Sequence, residues 1–142
     1  MSNESQQIED FLNGSAFAVV GASSNRGKYG NKILRCYLQH GRQAVPVNPV
    51  DAEIEGEPCF EMLSDLCTMV HGVSIITPPE VTNKIIEEVI ELGIKHVWMQ
   101  PGAESKQAIA RAEQAGINCI AGGACLLVVL GYRDKWTPVN AN

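Results

Sequence analysis

"AFAVVGASSNRGKYGNKILRCYLQHGRQAVPVNP", residues 16–49, contains a strand, a loop, a helix and a second strand in that order. The apolar run 16–21 predicts a buried strand. Residues 29–41 place Ile33, Leu34, Tyr37 and Leu38 on one helical face and stop at Gly41, and residues 43–49 resume as a strand. The alternation continues along the chain. A strand at 71–79 precedes a helix carrying Val81, Ile85, Ile86, Val89 and Ile90, which Gly93 ends. A strand at 95–102, an Ala-faced helix at 104–116 and a strand at 117–123 follow. Five strands separated by helices predict an α/β fold, doubly wound, with a mainly parallel five-stranded sheet and helices on both faces, because right-handed crossovers alone connect them. Residues 51–67 are the least regular link, with a short helical reading at "FEMLSDL". Residues 5–12 read as an added helix, and the tail 132–142 as poorly ordered beyond a core of about 11–131.

With 142 residues the chain is expected to form one domain, and 45% hydrophobic with 19% charged residues sets disordered and fibrous classes aside. The apolar run Leu126–Leu130 is too short to span a bilayer, and the start MSNESQQIED lacks the pattern of a signal peptide. A soluble, cytoplasmic protein without a membrane partner is expected. Cys36, Cys59, Cys67, Cys119 and Cys125 show no CxxC spacing, and His40, His71 and His96 form no metal-binding pattern. Reduced, buried or half-buried thiols and no metal are expected. A net charge of −5 argues against a nucleic-acid partner. Its distribution is uneven: between Asp10 and Asp51 there is no acidic residue, while Arg26, Lys28, Lys32, Arg35 and Arg42 all fall there. That window points to an anionic small ligand.

In doubly wound sheets the ligand lies beyond the carboxyl ends of the strands, where the strand order reverses. Loops 21–30, 48–51, 77–80 and 99–103 would meet there, each with Gly, Pro or Asn. A P-loop needs G-x4-G-K-[ST]; here five residues separate Gly21 from Gly27, and Tyr29 follows Lys28. Triphosphate hydrolysis is disfavoured. A dinucleotide loop needs G-x-G-x-x-G and an acid ending the second strand, but Ser23 replaces the second Gly and Asn48-Pro49 ends that strand, with Asp51 the nearest carboxylate. NAD is weakened and stays open. The loop can offer backbone N–H groups, a hydroxyl and cations to phosphates at a helix N-terminus.

Taken together, "AVVGASSNRGKYGNKI", "AVPVNP" followed by "IEGEPCF", a strand ending in Pro-Pro, and "HVWMQPG" resemble the small stand-alone CoA-binding proteins. These share a Rossmann-like fold with the N-terminal domain of the succinyl-CoA synthetase alpha subunit and of ADP-forming acyl-CoA synthetases. The resemblance covers Phe11 to Cys125 and implies coenzyme A as ligand. It implies roles for Gly21, Ala22 and Ser23 in the first loop, Arg26 and Lys28 as phosphate-facing charges, and Asn48 and Pro49 at the end of the second strand. It also implies Pro78 and Pro79 at the border of the groove, and Gln100 and Gly102 after the fourth strand, where Trp98 and Met99 complete the family phrase. One departure stands out: the family has a basic residue before its Cys and polar residues after it, whereas Cys125 lies in "AGGACLLVVL". That raises a hydrophobic contact with another subunit, a homo-oligomer included, beside the plainer reading of a buried segment.

No catalytic constellation is evident. "GASSN" lacks the closing Gly of a nucleophile elbow, Cys125 has no His or Asp nearby in sequence, and the three histidines sit at element ends. A non-enzymatic sensor or carrier for CoA or acyl-CoA is expected. The alternatives are an NAD(P)-binding redox-sensing domain, an acyl-CoA synthetase subunit needing a partner chain, and a scaffold that binds nothing.

Overall fold

The computed structural model describes residues 3–66 and 69–134. In chain order the elements are α1 (Glu4–Leu12), β1 (Ala16–Val20), α2 (Tyr29–Gln39), β2 (Gln43–Val47) and a hairpin of β3 (Glu53–Ile54) and β4 (Glu57–Pro58). They continue with β5 (Gly72–Ile75), α3 (Pro79–Leu92), β6 (His96–Met99), α4 (Lys106–Gln114), β7 (Asn118–Ile120) and α5 (Leu126–Leu130). The main sheet is parallel throughout in the order β2-β1-β5-β6-β7, so the order reverses between β1 and β5, as the doubly wound reading requires.

Side chains alternate across this sheet and divide the core in two. Ala18, Val20, Val73, Ile75, Val97 and Met99 pack under α3 and α4. Phe17, Val19, Trp98 and Ile120 face α1, α2 and α5. On that second face Phe17 stacks on Phe11 at 5.3 Å and on Tyr37 at 4.8 Å, and Phe11 meets the edge of Trp98. The buried Ser74 hydroxyl is satisfied by the Tyr37 hydroxyl at 2.6 Å.

Several expected bounds shorten for identifiable reasons. The third strand stops at Ile75 because Pro78 and Pro79, which lack N–H groups, serve as N-cap and first residue of α3. The fourth helix starts at Lys106 because the Ser105 hydroxyl accepts from the Ala108 N–H. "FEMLSDL" yields only a single 3-10 turn, Leu63–Asp65, because Phe60 is drawn into extended pairing with the edge strand β2: its N–H donates to the Pro46 carbonyl and its carbonyl accepts from Asn48. Pro46 is tolerated there since β2 is an edge strand. Leu126–Leu130 is a short helix in which Leu126 is buried while Val128 is 81% exposed. Of the expected loose tail, residues 132–134 are bonded to neighbours, with the Tyr132 N–H donating to Leu127 and Arg35 donating to the Asp134 carbonyl. Residues 135–142 lie outside the described residues.

All three histidines stand away from the carboxyl edge of the sheet. His40 caps the C-terminus of α2 and bonds the Gly131 carbonyl, while His71 and His96 stack at 4.2 Å at the opposite edge.

Two glycines set how α2 begins. A Cβ on Gly30 would stand 2.1 Å from the Gly21 carbonyl oxygen, and one on Gly21, at φ +93°, would stand 2.1 Å from that of Ile76. Gly30→Ala is therefore expected to destabilise the protein by ~1–3 kcal/mol through forced backbone movement, the opposite of the usual Gly-to-Ala gain within a helix. Urea denaturation measures it; unchanged or raised stability would show that α2 does not need this close approach.

Candidate functional site

A cleft of about 730 Å³ opens at the carboxyl edge, where the strand order reverses. Its size is that of an ordinary small-ligand site. The loop after β1 supplies Gly21, Ala22, Ser23, Ser24, Gly27 and Lys28, the first turn of α2 supplies Tyr29 and Gly30, and the segment after β2 supplies Asn48, Pro49, Val50 and Asp51. Ile76, just beyond β5, closes the apolar side. Of the residues read from sequence, Gly21, Ala22, Ser23, Lys28, Asn48 and Pro49 thus come together.

The loop is shaped from within. The Asn25 side chain accepts from the Gly27 N–H at 2.9 Å, its N–H donates to Ser23 Oγ at 3.1 Å, and its carbonyl accepts from the Lys28 N–H. Asn25 makes the turn that the missing second glycine would otherwise make. Lys28 is the N-cap of α2, and no side chain caps that helix. The uncapped first turn, with its partial positive charge, faces the cleft beside the exposed Lys28. That donor set suits phosphate oxygens.

Asn48 is a structural member of this site. Its Nδ2 donates to the Ala22 carbonyl at 2.9 Å and to Asp51 Oδ2 at 2.8 Å, while its Oδ1 accepts from the N–H groups of Val50 and Asp51. It ties the loop after β2 to the loop after β1. In doing so it holds Asp51, the carboxylate nearest the end of the second strand, in the lining of the cleft.

The basic window is also spent differently than its sequence suggests. Arg35 is 1% exposed: its Nε donates to Asn31 Oδ1 at 2.7 Å, and its other nitrogens donate to the carbonyls of Arg26 and Asp134. Arg42 donates to the Leu12 carbonyl. Arg26 does not line the cleft but forms a two-pronged pair with Glu55, at 3.0 Å through Nε and 2.9 Å through Nη2. Among the described residues Lys28 and Lys32 make no ion pair. Glu55 is therefore a member of the loop's surroundings that the 16–49 reading missed. Its signal was the Glu-Gly pair between two short extended runs, a two-residue hairpin turn with both φ angles positive.

Other expected site residues lie apart from this cleft. Pro78 and Pro79 begin α3. Gln100 is 1% exposed, and its Oε1 accepts from the Leu126 N–H at 3.0 Å. With Trp98, whose indole N–H donates to the Ala124 carbonyl, it props the segment after β7 against the end of β6. Gly102 forms the turn beyond β6 with φ +96°. Cys36, Cys59, Cys119 and Cys125 are free thiols, and Cys67 lies outside the described residues. Burial, assisted by Cys125, pushes the Cys36 thiol up to about 12, and burial with Glu113 does the same for Cys119, the behaviour of packing thiols. Among the described residues there is no group of three potential metal ligands and no helix long and apolar enough to cross a membrane.

A parallel sheet with a glycine-lined, cation-bearing cleft at its switch point defines a nucleotide-binding module of Rossmann-like class. The sequence profile of the CoA binding domain family matches residues 15–131, and the chain belongs to that family. Over 119 residues it is 29% identical to acetate–CoA ligase (ADP-forming) I of Archaeoglobus fulgidus, covering 77% of this chain and 17% of that protein. Over 78 residues it is 31% identical to the acetate–CoA ligase (ADP-forming) of Methanocaldococcus jannaschii, covering 55% and 11%. The chain thus spans less than a fifth of these curated relatives. Among solved structures it resembles a hypothetical protein of Pyrococcus horikoshii, with TM-score 0.83, 27% identity and 89% of each chain covered. A conserved hypothetical protein of Pyrococcus furiosus gives TM-score 0.76 and 39% identity over 80% of this chain and 97% of that one. The dinucleotide-forming acetyl-coenzyme A synthetase 1 of Ca. Korarchaeum cryptofilum, in complex with phosphate and ADP, gives TM-score 0.71 and 29% identity over 80% of this chain and 27% of that one.

The Arg26 pair first, then the Asn31 amide, holds the Glu55 carboxyl below its ordinary range. A depressed value stabilises the fold fully above the unfolded glutamate pKa of ~4.3, and the contribution is lost as pH falls through the folded value. As pH falls below the unfolded glutamate pKa of ~4.3, Glu55→Gln is therefore expected to flatten the fall of melting temperature with acidity relative to the unsubstituted protein. Parallel curves would show that the pair contributes nothing to acid sensitivity.

Proposed function

We propose that the chain binds coenzyme A or an acyl-CoA in this cleft and acts as a non-catalytic sensor or carrier. The single observation behind the reading is the meeting of backbone Gly21–Ser23, Lys28 and the uncapped start of α2 at the switch point. Family membership makes CoA the first choice among phosphate-bearing ligands. In this reading the α2 amides and Lys28 take the phosphates, and Gly21 and Gly30 keep the backbone close enough for contact without a side chain between. Tyr29, Val50 and Ile76 give the same cleft an apolar wall. A non-catalytic role is supported by what surrounds the cleft hydroxyls: Ser23 Oγ accepts from the Asn25 N–H, and no histidine or cysteine lines the cleft.

Two observations favour alternatives. Asp51 places a carboxylate in the cleft a few residues after β2, near the end of the strand whose acid binds a ribose hydroxyl in dinucleotide folds, which favours NAD(P). The likeness to ADP-forming acetate–CoA ligases favours a synthetase module that works with a partner chain.

Thermal-shift titration with CoA, acetyl-CoA, dephospho-CoA, NAD, NADP and ATP separates them, since a ligand selective for the folded state raises the melting temperature with concentration. Stabilisation by the CoA species alone is expected; stabilisation by NAD alone would overturn the reading. Lys28→Ala is expected to weaken CoA by ~1.5–3 kcal/mol, as loss of a charge-assisted contact. Lys95→Ala, at the opposite edge of the sheet, should leave affinity unchanged, and equal losses in both would place the ligand elsewhere.

A further inference from the structure

The loop between β1 and α2 carries one arginine, and its side chain is turned from the cleft. Gly27 and Lys28 line the cleft, whereas Arg26 gives Nε and Nη2 to the two oxygens of Glu55. Glu55 reaches that position from the first place of the hairpin turn, at φ +52°, a left-handed conformation that a glutamate adopts only at a cost. Its Oε2 also accepts from Asn31 Nδ2 at 3.1 Å, near the start of α2, where the helix dipole favours negative charge. A guanidinium fork, an amide N–H and a helix start are the partners that a phosphate takes as readily as a carboxylate.

The two halves of the pair differ in freedom. The Arg26 side chain is 47% exposed and that of Glu55 12%. The Arg26 carbonyl is pinned by the buried Arg35 at 3.1 Å, and Arg35 in turn faces Asp134. The guanidinium can thus leave Glu55 by side-chain rotation while the loop backbone stays anchored, and Glu55 keeps its Asn31 bond when it does.

We propose that Glu55 is a built-in stand-in for ligand phosphate, holding Arg26 until a phosphate-bearing ligand exchanges for it at the mouth of the cleft. The identity of that ligand as CoA rests on the function proposed above; the exchange itself does not. Glu55 then sets affinity, because every phosphate bound through Arg26 must first displace an internal carboxylate. It also sets selectivity, because an anion too weak to compete finds the arginine already taken.

The test is calorimetric titration of pyrophosphate and of CoA into the unsubstituted protein, Glu55→Gln, Arg26→Gln and the double variant. Glu55→Gln is expected to bind both roughly three- to tenfold tighter, the scale of a partly exposed ion pair, with no gain when Arg26 is also replaced. Unchanged or weaker pyrophosphate binding by folded Glu55→Gln overturns the proposal, and so does an equal gain in the Arg26→Gln background, which would reflect net charge alone. Should Glu55→Gln not fold, the Nε–H resonance of Arg26 in the unsubstituted protein decides. A shift that saturates with pyrophosphate supports exchange, and a resonance unmoved up to saturation of the protein overturns it. Tighter pyrophosphate binding in Glu55→Gln with no CoA binding by any variant would support the exchange while ending the CoA reading.

Discussion

The first turn of α2 comes within contact of the end of β1 because neither Gly21 nor Gly30 carries a side chain, and the geometry of the cleft follows from that approach. With α2 held there, its first turn, which no side chain caps, lines the cleft at the carboxyl edge of the sheet. The interval from Gly21 to Gly30 is longer than in a dinucleotide loop, and Asn25 folds the surplus residues back through bonds to Gly27, Lys28 and Ser23. The loop therefore keeps the close helix–strand contact of a Rossmann-like turn despite its greater length.

Around this contact the polar side chains form one connected support. Asn48 ties the loop after β2 to Ala22, Asn31 ties α2 to the Ser23 carbonyl and to Glu55, and buried Arg35 ties Asn31 and Arg26 to the segment after α5. A buried guanidinium without partners would be costly; here its donors reach a side-chain oxygen and two carbonyls, so it serves as a brace. The cations of the window thus divide between work inside the fold, at Arg35 and Arg42, and charge at its surface, at Lys28 and Lys32. Arg26 lies between the two.

Much of the fold was legible because its signals are local. The continuous apolar run through Phe17 and Val20, the helical spacing through Tyr37, and the glycine stop at Gly93 are set by near neighbours in the chain. What sequence could not show depends on partners far along it. Glu55 meets Arg26 across 29 positions, through a hairpin whose strands are only two residues long. "FEMLSDL" has helical spacing, yet Phe60 pairs with β2 instead. The family resemblance implies a ligand contact for Gln100, yet it sits inside, its Oε1 accepting from a backbone N–H 26 positions away. The loops 21–30 and 48–51, legible from their glycines and asparagine, supply the lining of the cleft except for Ile76, which entered only once the loops were set in space.

The family relationship fixes the kind of module, and the binding mode proposed above gives it a location: phosphates would lie at the start of α2, within walls from the loops after β1, β2 and β5. The most direct measurement of that claim is a residue-resolved amide NMR titration with CoA. The account predicts saturable shifts centred on residues 21–30 and 48–51, with the stacked His71 and His96 edge unmoved. Shifts concentrated at that opposite edge, or none at CoA concentrations well above the millimolar range, would contradict it.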